Sequence, residues 1–261
     1  LPIYQKDFQK WRLLLGKSPL PPLRSLRHGG FFFPRPCMKT DFLHPLRKIP
    51  GLQVDFVERI PGLAVDVDRD EAMLRSRAHH TDRVAALGFT PDQWSRAEQV
   101  HGNRVAVAED AETITAADGL PLIAGVDGLI TQQNNRCLAI YVADCGAIWL
   151  ADPINGAIGL LHSGKKGTEG NILGVAVELM GQRFGSKPGN LIAVLGPCIR
   201  PPHYEIDFAA EIGRQAAAAG IKEFHDCQIC TASDLSNYYS YRKELGRTGR
   251  MMALIGKQSH S

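Results

Sequence analysis

Apolar positions change their period repeatedly along the chain, and each change marks an element. Residues 54–57 and 63–67 are predicted as short strands around a Pro61-Gly62 turn. Residues 70–87 read as a helix, with Asp68 or Asp70 to cap it and Gly88 to end it. Residues 97–108 read as a strand, a His-Gly-Asn turn and an alternating strand, and residues 127–131 as another short strand. From Cys137 the chain is strongly apolar. It reads as a buried strand, a turn carrying Asp144 and Cys145, a second strand to Asp152 and a third delivering His162, before a glycine-rich basic loop opens a helix. Ile172, Val175, Leu179 and Met180 then recur at helical spacing up to Gly185. Residues 191–195 form a buried strand running into Gly196-Pro197, and residues 207–219 an Ala-rich helix stopped by Gly220. An aromatic turn at 238–241 and a last strand near 251–255 complete the pattern. Strands and helices alternate irregularly, so the expected fold class is α/β: mixed β-sheets flanked by helices, in a single domain spanning residues 38–261.

The pattern fails before residue 38. Residues 1–37 are broken by proline and carry seven Lys/Arg against one acid, Asp7. They read as a poorly ordered basic extension, with Met38 as a natural start and an organelle-targeting segment as the alternative. The whole chain has 30 Lys/Arg and 27 Asp/Glu, a net +3; this segment contributes +6, so residues 38–261 sum to −3. A mildly acidic body argues against a general nucleic-acid binder. Six scattered cysteines in a chain with ample core suit a reducing, cytoplasmic setting better than a disulfide scaffold. No apolar run approaches the roughly 20 residues that span a bilayer. A monomer or small homo-oligomer is expected.

Two motifs are decoys. Gly159 to Lys166 matches G-x-x-x-x-G-K but ends in Lys166, where a phosphate loop gives a Ser or Thr to magnesium, and its interior looks like strand. Cys227-x-x-Cys230 has no second pair or nearby histidine to complete a structural zinc site, and reads as two structural thiols. A third constellation carries more chemistry. His101, Cys145 and His162 each sit at a predicted strand end; two imidazoles and a thiolate would give zinc three protein ligands and an open fourth position, the arrangement catalytic zinc uses. Their spacings are too long to establish this alone, and three unrelated polar residues at sheet edges is the plain alternative. Lys165, Lys166, Arg242 and Arg250 form a solvated face or, beside a metal, a hold for an anion such as phosphate.

Five ordered motifs then fit one family. Gln99-Val100-His101-Gly102, Ala143-Asp144-Cys145, Leu161-His162-Ser163-Gly164, Gly196-Pro197-Cys198-Ile199 with Tyr204-Glu205-Ile206, and Ser240-Tyr241-Arg242 with Thr248-Gly249-Arg250-Met251 together resemble the YfiH-type polyphenol oxidase (laccase domain) and purine nucleoside phosphorylase family. The resemblance covers roughly residues 50–256. It implies a single α/β domain in α-β-β-α layers and a metal site, usually zinc, on His101, Cys145 and His162. It also implies phosphorolysis or deamination of purine nucleosides. The chain departs from the family after the site histidine: Ser163-Gly164-Lys165-Lys166-Gly167 stands where Ala-Gly-Trp-Arg-Gly is usual, and His79-His80 falls where an Asn-Arg pair is usual.

The expected activity is therefore that of a zinc-dependent enzyme acting on a purine nucleoside and phosphate. Cys145, Asp144 and Lys166 are its candidate catalytic residues, with Lys165, Arg242 and Arg250 on the substrate. The rivals are a metal-free cysteine hydrolase built on Cys145, a copper polyphenol oxidase, and a binding module that has kept the fold. Several coppers need many imidazoles, and nine His with no His-x-His pair serve that poorly.

Overall fold

The computed structural model describes residues 41–259; the basic segment expected over residues 1–37 lies outside them. The elements in chain order are α1 (His44–Arg47), β1 (Leu52–Val57), α2 (Arg69–Ala86), β2 (Trp94–Arg96), β3 (Val105–Val107), β4 (Thr113–Thr115), β5 (Pro121–Ile123), β6 (Gly128–Thr131), β7 (Arg136–Val142), β8 (Gly146–Ala151), β9 (Ile158–Ser163), α3 (Lys165–Glu169), α4 (Ile172–Phe184), β10 (Ile192–Leu195), α5 (Phe208–Ala218), β11 (Glu223–Asp226) and β12 (Met251–Lys257). A four-stranded sheet runs β1-β12-β7-β2 and a six-stranded sheet β11-β10-β8-β9-β6-β3; β4 and β5 form a small ribbon. Both large sheets are mixed, as expected: β2 is parallel to β7, and β10 is parallel to β11 but antiparallel to β8.

Period-two alternation assigns the layers. On β7, Leu138, Ile140 and Val142 join the central core, while Cys137, Ala139 and Tyr141 face the other way. On β8, Ala147 and Trp149 face that same central core and Ile148 and Leu150 the opposite side. The central core therefore lies between the sheets. Met73 and Val84 of α2 cover the outer face of the four-stranded sheet. Ile172, Ala176 and Met180 of α4, with Ile212 and Ala216 of α5, cover the outer face of the six-stranded sheet. The layering is α-β-β-α, in one unit from Asp41 onward. Trp149 ties the sheets together. Its fully buried indole packs edge-on against Phe42 and Phe56, each at 5.9 Å, and donates across the sandwich to the Leu254 carbonyl at 2.9 Å.

Helix boundaries follow the capping chemistry. The Asp68 carboxylate accepts from the Glu71 amide at the start of α2, and Gly185 adopts a left-handed φ of +69° at the end of α4. Among the described residues no helix is long and apolar enough to cross a membrane. One strand expectation fails and another holds in part. Residues 63–67 join no ladder, and two of their carbonyls are taken by side chains: Arg75 bonds the Ala64 oxygen and Arg247 the Asp66 oxygen, both at 2.8 Å. Of the strand, turn and strand expected over residues 97–108, the second strand is β3, while Ala97 makes only an isolated bridge to Ile123. The segment leaves β2 in one sheet and enters β3 in the other, crossing the end of the sandwich with Gln99 and His101 at positive φ.

Candidate metal centre and its cleft

The sheet register brings every chemical motif to one end of the sandwich. Cys145 immediately precedes β8, and His162 lies near the end of β9, which is antiparallel to it; Ala147 pairs with His162. Asp127 immediately precedes β6, antiparallel to β9, so the His162 amide reaches the Asp127 carbonyl at 2.7 Å. The His101 loop leads into β3, parallel to β6. On the other sheet, Met251 pairs with Val142, which sets Arg250 beside the strand end that leads to Asp144 and Cys145. Four neighbouring strands of the six-stranded sheet thus supply the site, and the four-stranded sheet closes it.

The three expected ligands meet. One donor atom from each of His101, Cys145 and His162 lies within 4.8 Å of the others, and the two imidazoles stand edge to face with centroids 4.9 Å apart. Room for the thiol depends on Gly164, where a Cβ would stand 2.6 Å from the Cys145 sulfur. Asp127, fully buried, organises both histidines. One carboxylate oxygen accepts from the His162 ring Nδ1 at 2.8 Å and the His101 amide at 2.9 Å; the other accepts from the Gly102 amide at 2.7 Å. Those bonds orient the His162 ring, which also bonds the Cys145 side chain, and a carboxylate so placed is common behind metal-bound imidazoles. Two imidazoles and a thiolate with a carboxylate behind one of them fit zinc in donor type and number.

Electrostatics within the cluster are mutually supporting. Burial pushes the Cys145 thiol up, but the His162 charge and hydrogen bonds from His101 and His162 outweigh it and bring the thiol down to about 6. Burial alone would lower His162; the Cys145 charge and the Asp127 bond raise it instead, to about 9. Each shift has the other group as its largest favourable cause, so the thiolate and the imidazolium stabilise one another.

Asp144, left-handed at φ +86° and buried, is saturated with hydrogen bonds. Its carboxylate accepts from the Thr231 hydroxyl at 2.7 Å, the Ser240 hydroxyl at 3.0 Å and the Arg242 amide at 2.7 Å, and its carbonyl accepts from the Ile199 amide at 2.8 Å. It clamps the Cys145 turn to the Gly196-Pro197 and Ser240-Tyr241 segments. A cavity of about 1000 Å³ opens over the cluster. Tyr204, Phe208 and Tyr241 contribute aromatic wall, and Lys165, Arg242 and Arg250 line it as well. Arg242 lies 4.9 Å over the Tyr204 ring and bonds Glu205 at 2.5 Å. Lys166 is exposed and outside the lining, because the basic loop is itself a short helix, α3, with Lys165 directed to the cavity side. The phosphate-loop match dissolves for the same reason: its first half is β9.

Sequence reasoning overlooked Asp127 and Arg69, which also lines the cavity. Asp127 had a readable signal, since a carboxylate at the mouth of an otherwise apolar strand is buried and needs donors. Arg69 had none; it is one arginine on a polar helix start.

A His/Cys/His cluster at strand ends beneath a cleft is a group of residues that could hold a metal ion. A family model described as multi-copper polyphenol oxidoreductase laccase matches residues 62–213 and 203–258, and the chain belongs to that family. The purine nucleoside phosphorylase YlmD of Geobacillus stearothermophilus is 30% identical over 231 residues, covering 76% of this chain and 82% of that protein. A purine nucleoside phosphorylase of Deinococcus radiodurans is 32% identical over 247 residues, covering 81% and 92%. The crystal structure of YlmD from Geobacillus stearothermophilus matches this fold with a TM-score of 0.67 at 25% identity, covering 81% of this chain and 93% of that one.

Proposed function

We propose that this chain is a zinc-dependent purine nucleoside phosphorylase, with deamination of adenosine at the same site as a second activity. The observation that carries the reading is the convergence of His101, Cys145 and His162 within 4.8 Å beneath a cavity of nucleoside size. Zinc held by those three residues would supply Lewis acidity in the cleft. The chain's own groups do the rest. Tyr204 and Phe208, in edge contact at 6.0 Å, offer an aromatic surface for a purine, and Arg242 over Tyr204 extends it. Cationic groups on the lining hold phosphate against the ribose carbon, where the bond to the base breaks as the bond to a phosphate oxygen forms. Asp144 acts by positioning, since all its hydrogen bonds serve to fix the Cys145 turn. Copper is the less suited metal: the described residues gather one cluster of three candidate ligands, where a multi-copper enzyme needs several.

One observation favours a second reading. Cys145, His162 and Asp127 form a thiolate–imidazole–carboxylate line, the order of a cysteine hydrolase. His101 separates the two readings, because a hydrolase triad does not need a second imidazole on the sulfur. Zinc-loaded protein incubated with inosine or adenosine, with and without phosphate, tests the proposal. Phosphate-dependent release of free base supports phosphorolysis, and ammonia from adenosine supports deamination. Neither product from fully metallated protein removes the reading. Base release by metal-free protein, abolished by alkylating Cys145, transfers it to the hydrolase.

A further inference from the structure

Besides Lys165, four cationic side chains line the cavity: Arg69, Arg242, Arg247 and Arg250. Two of the arginines are neutralised. Arg242 pairs with Glu205, and Arg247 bonds Asp66 at 2.8 Å. Arg69 and Arg250 differ, for among the described residues no carboxylate lies within 4.0 Å of either guanidinium. Their bonds run to neutral main-chain oxygens instead: Arg69 to Glu98 at 3.0 Å, and Arg250 to Thr248 at 2.8 Å and Gly249 at 2.9 Å. Such carbonyls orient a guanidinium without cancelling its charge. Burial first and then the Arg69 charge pull the Arg250 pKa down, and they outweigh the opposite pull of Cys145, Tyr241 and Asp144.

A carboxylate beside them would be the ordinary remedy, and the lining holds two, Asp68 and Asp144. Both are engaged elsewhere. Asp68 caps α2 through the Glu71 amide, and Asp144 is saturated by Thr231, Ser240 and Arg242. The pair is thus arranged for an anion from solution. Its place is fixed by register, because Arg250 precedes Met251, the partner of Val142 at the strand end leading to Cys145.

We propose that Arg69 and Arg250 form an oxyanion subsite whose ligand is inorganic phosphate, the co-substrate of the phosphorolysis proposed above, on which this assignment rests. Two planar forks can each take two oxygens of one tetrahedral dianion. Arg242, stacked on Tyr204 and neutralised by Glu205, then belongs to the nucleoside half of the cavity.

Isothermal titration of inorganic phosphate into zinc-loaded wild type, Arg69→Gln, Arg250→Gln and Arg242→Gln tests the subsite without any turnover. Saturable binding is expected in wild type, weakened about tenfold or more in Arg69→Gln and Arg250→Gln and within about twofold of wild type in Arg242→Gln. If Arg250→Gln fails to fold by circular dichroism, Arg69→Gln on its exposed helix start carries the test. No phosphate binding by wild type, or a loss in Arg242→Gln with none in Arg69→Gln, overturns the proposal. A parallel titration with adenosine monophosphate separates free phosphate from a phosphate ester; dependence on the two arginines for the ester alone also overturns it. Phosphate binding that needs both arginines in a protein cleaving no nucleoside leaves the subsite standing and removes the phosphorylase reading. Phosphate-dependent cleavage whose KM for phosphate is unmoved by either substitution does the reverse.

Discussion

Replacing Asp127 probes the metal centre through a residue that touches no metal. Its carboxylate accepts three hydrogen bonds, two on one oxygen from the His162 ring and the His101 amide and one on the other from the Gly102 amide. In Asp127→Asn the amide oxygen can keep the first two, but its NH₂ then faces the Gly102 N–H, donor against donor. In Asp127→Ala all three donors lose their acceptor in a fully buried site. Each stranded donor costs about 1–3 kcal/mol, so metal-free Asp127→Asn should lose about 1–3 kcal/mol of stability and Asp127→Ala several. Loss of the carboxylate behind a ligating histidine weakens metal binding about 10–100-fold, or about 1.4–2.8 kcal/mol. Chelator competition measures the affinity, and denaturant melts of the metal-free forms measure the stability. The expected ranking in both is wild type, then Asn, then Ala. Wild-type zinc affinity in Asp127→Ala would show that the carboxylate does not organise the site.

Other expectations follow from neighbouring features. In Gly164→Ala the new Cβ displaces the Cys145 sulfur, so zinc occupancy should fall while circular dichroism stays that of wild type. His80 is buried against Tyr141, and burial first, then the charge of Arg96, holds its pKa at about 4 against 6.5 in the unfolded chain. The unfolded state therefore binds the extra proton between pH 6.5 and 4, and stability falls through that window on acidification, by about 3 kcal/mol if His80 acts alone. His80→Gln should flatten that acid limb in melts at pH 4.5 and 7.5; an unchanged slope would assign it to other groups. Trp149→Ala removes the indole that joins the two sheets and should cost about 3–5 kcal/mol, with a smaller loss for Trp149→Phe.

The chemistry of this chain was legible in its sequence to an uneven degree. Strands β7, β8 and β9 declare themselves because both of their faces are buried, and α2, α4 and α5 because caps and glycines bound them. His101, Cys145 and His162 stood out as polar residues at strand ends, though only the order of the sheet shows that β8, β9, β6 and β3 are neighbours. Pairing is a non-local property, and apolar period does not report it. That is why residues 63–67 look like a strand although the Ala64 and Asp66 carbonyls go to arginines, and why residues 97–108 look like a strand, a turn and a strand yet bridge two sheets. Arg69 was invisible for a related reason: what distinguishes it is the carboxylate that is not beside it.

Zinc content of purified wild type beside Cys145→Ala, His101→Ala and His162→Ala, each loaded with excess zinc and then desalted, tests the central claim most directly. One zinc per wild-type chain is expected, with a loss of tight zinc in each of the three variants. Folded wild type that retains no zinc, or a Cys145→Ala variant that retains it fully, would contradict a metal centre built on these three residues.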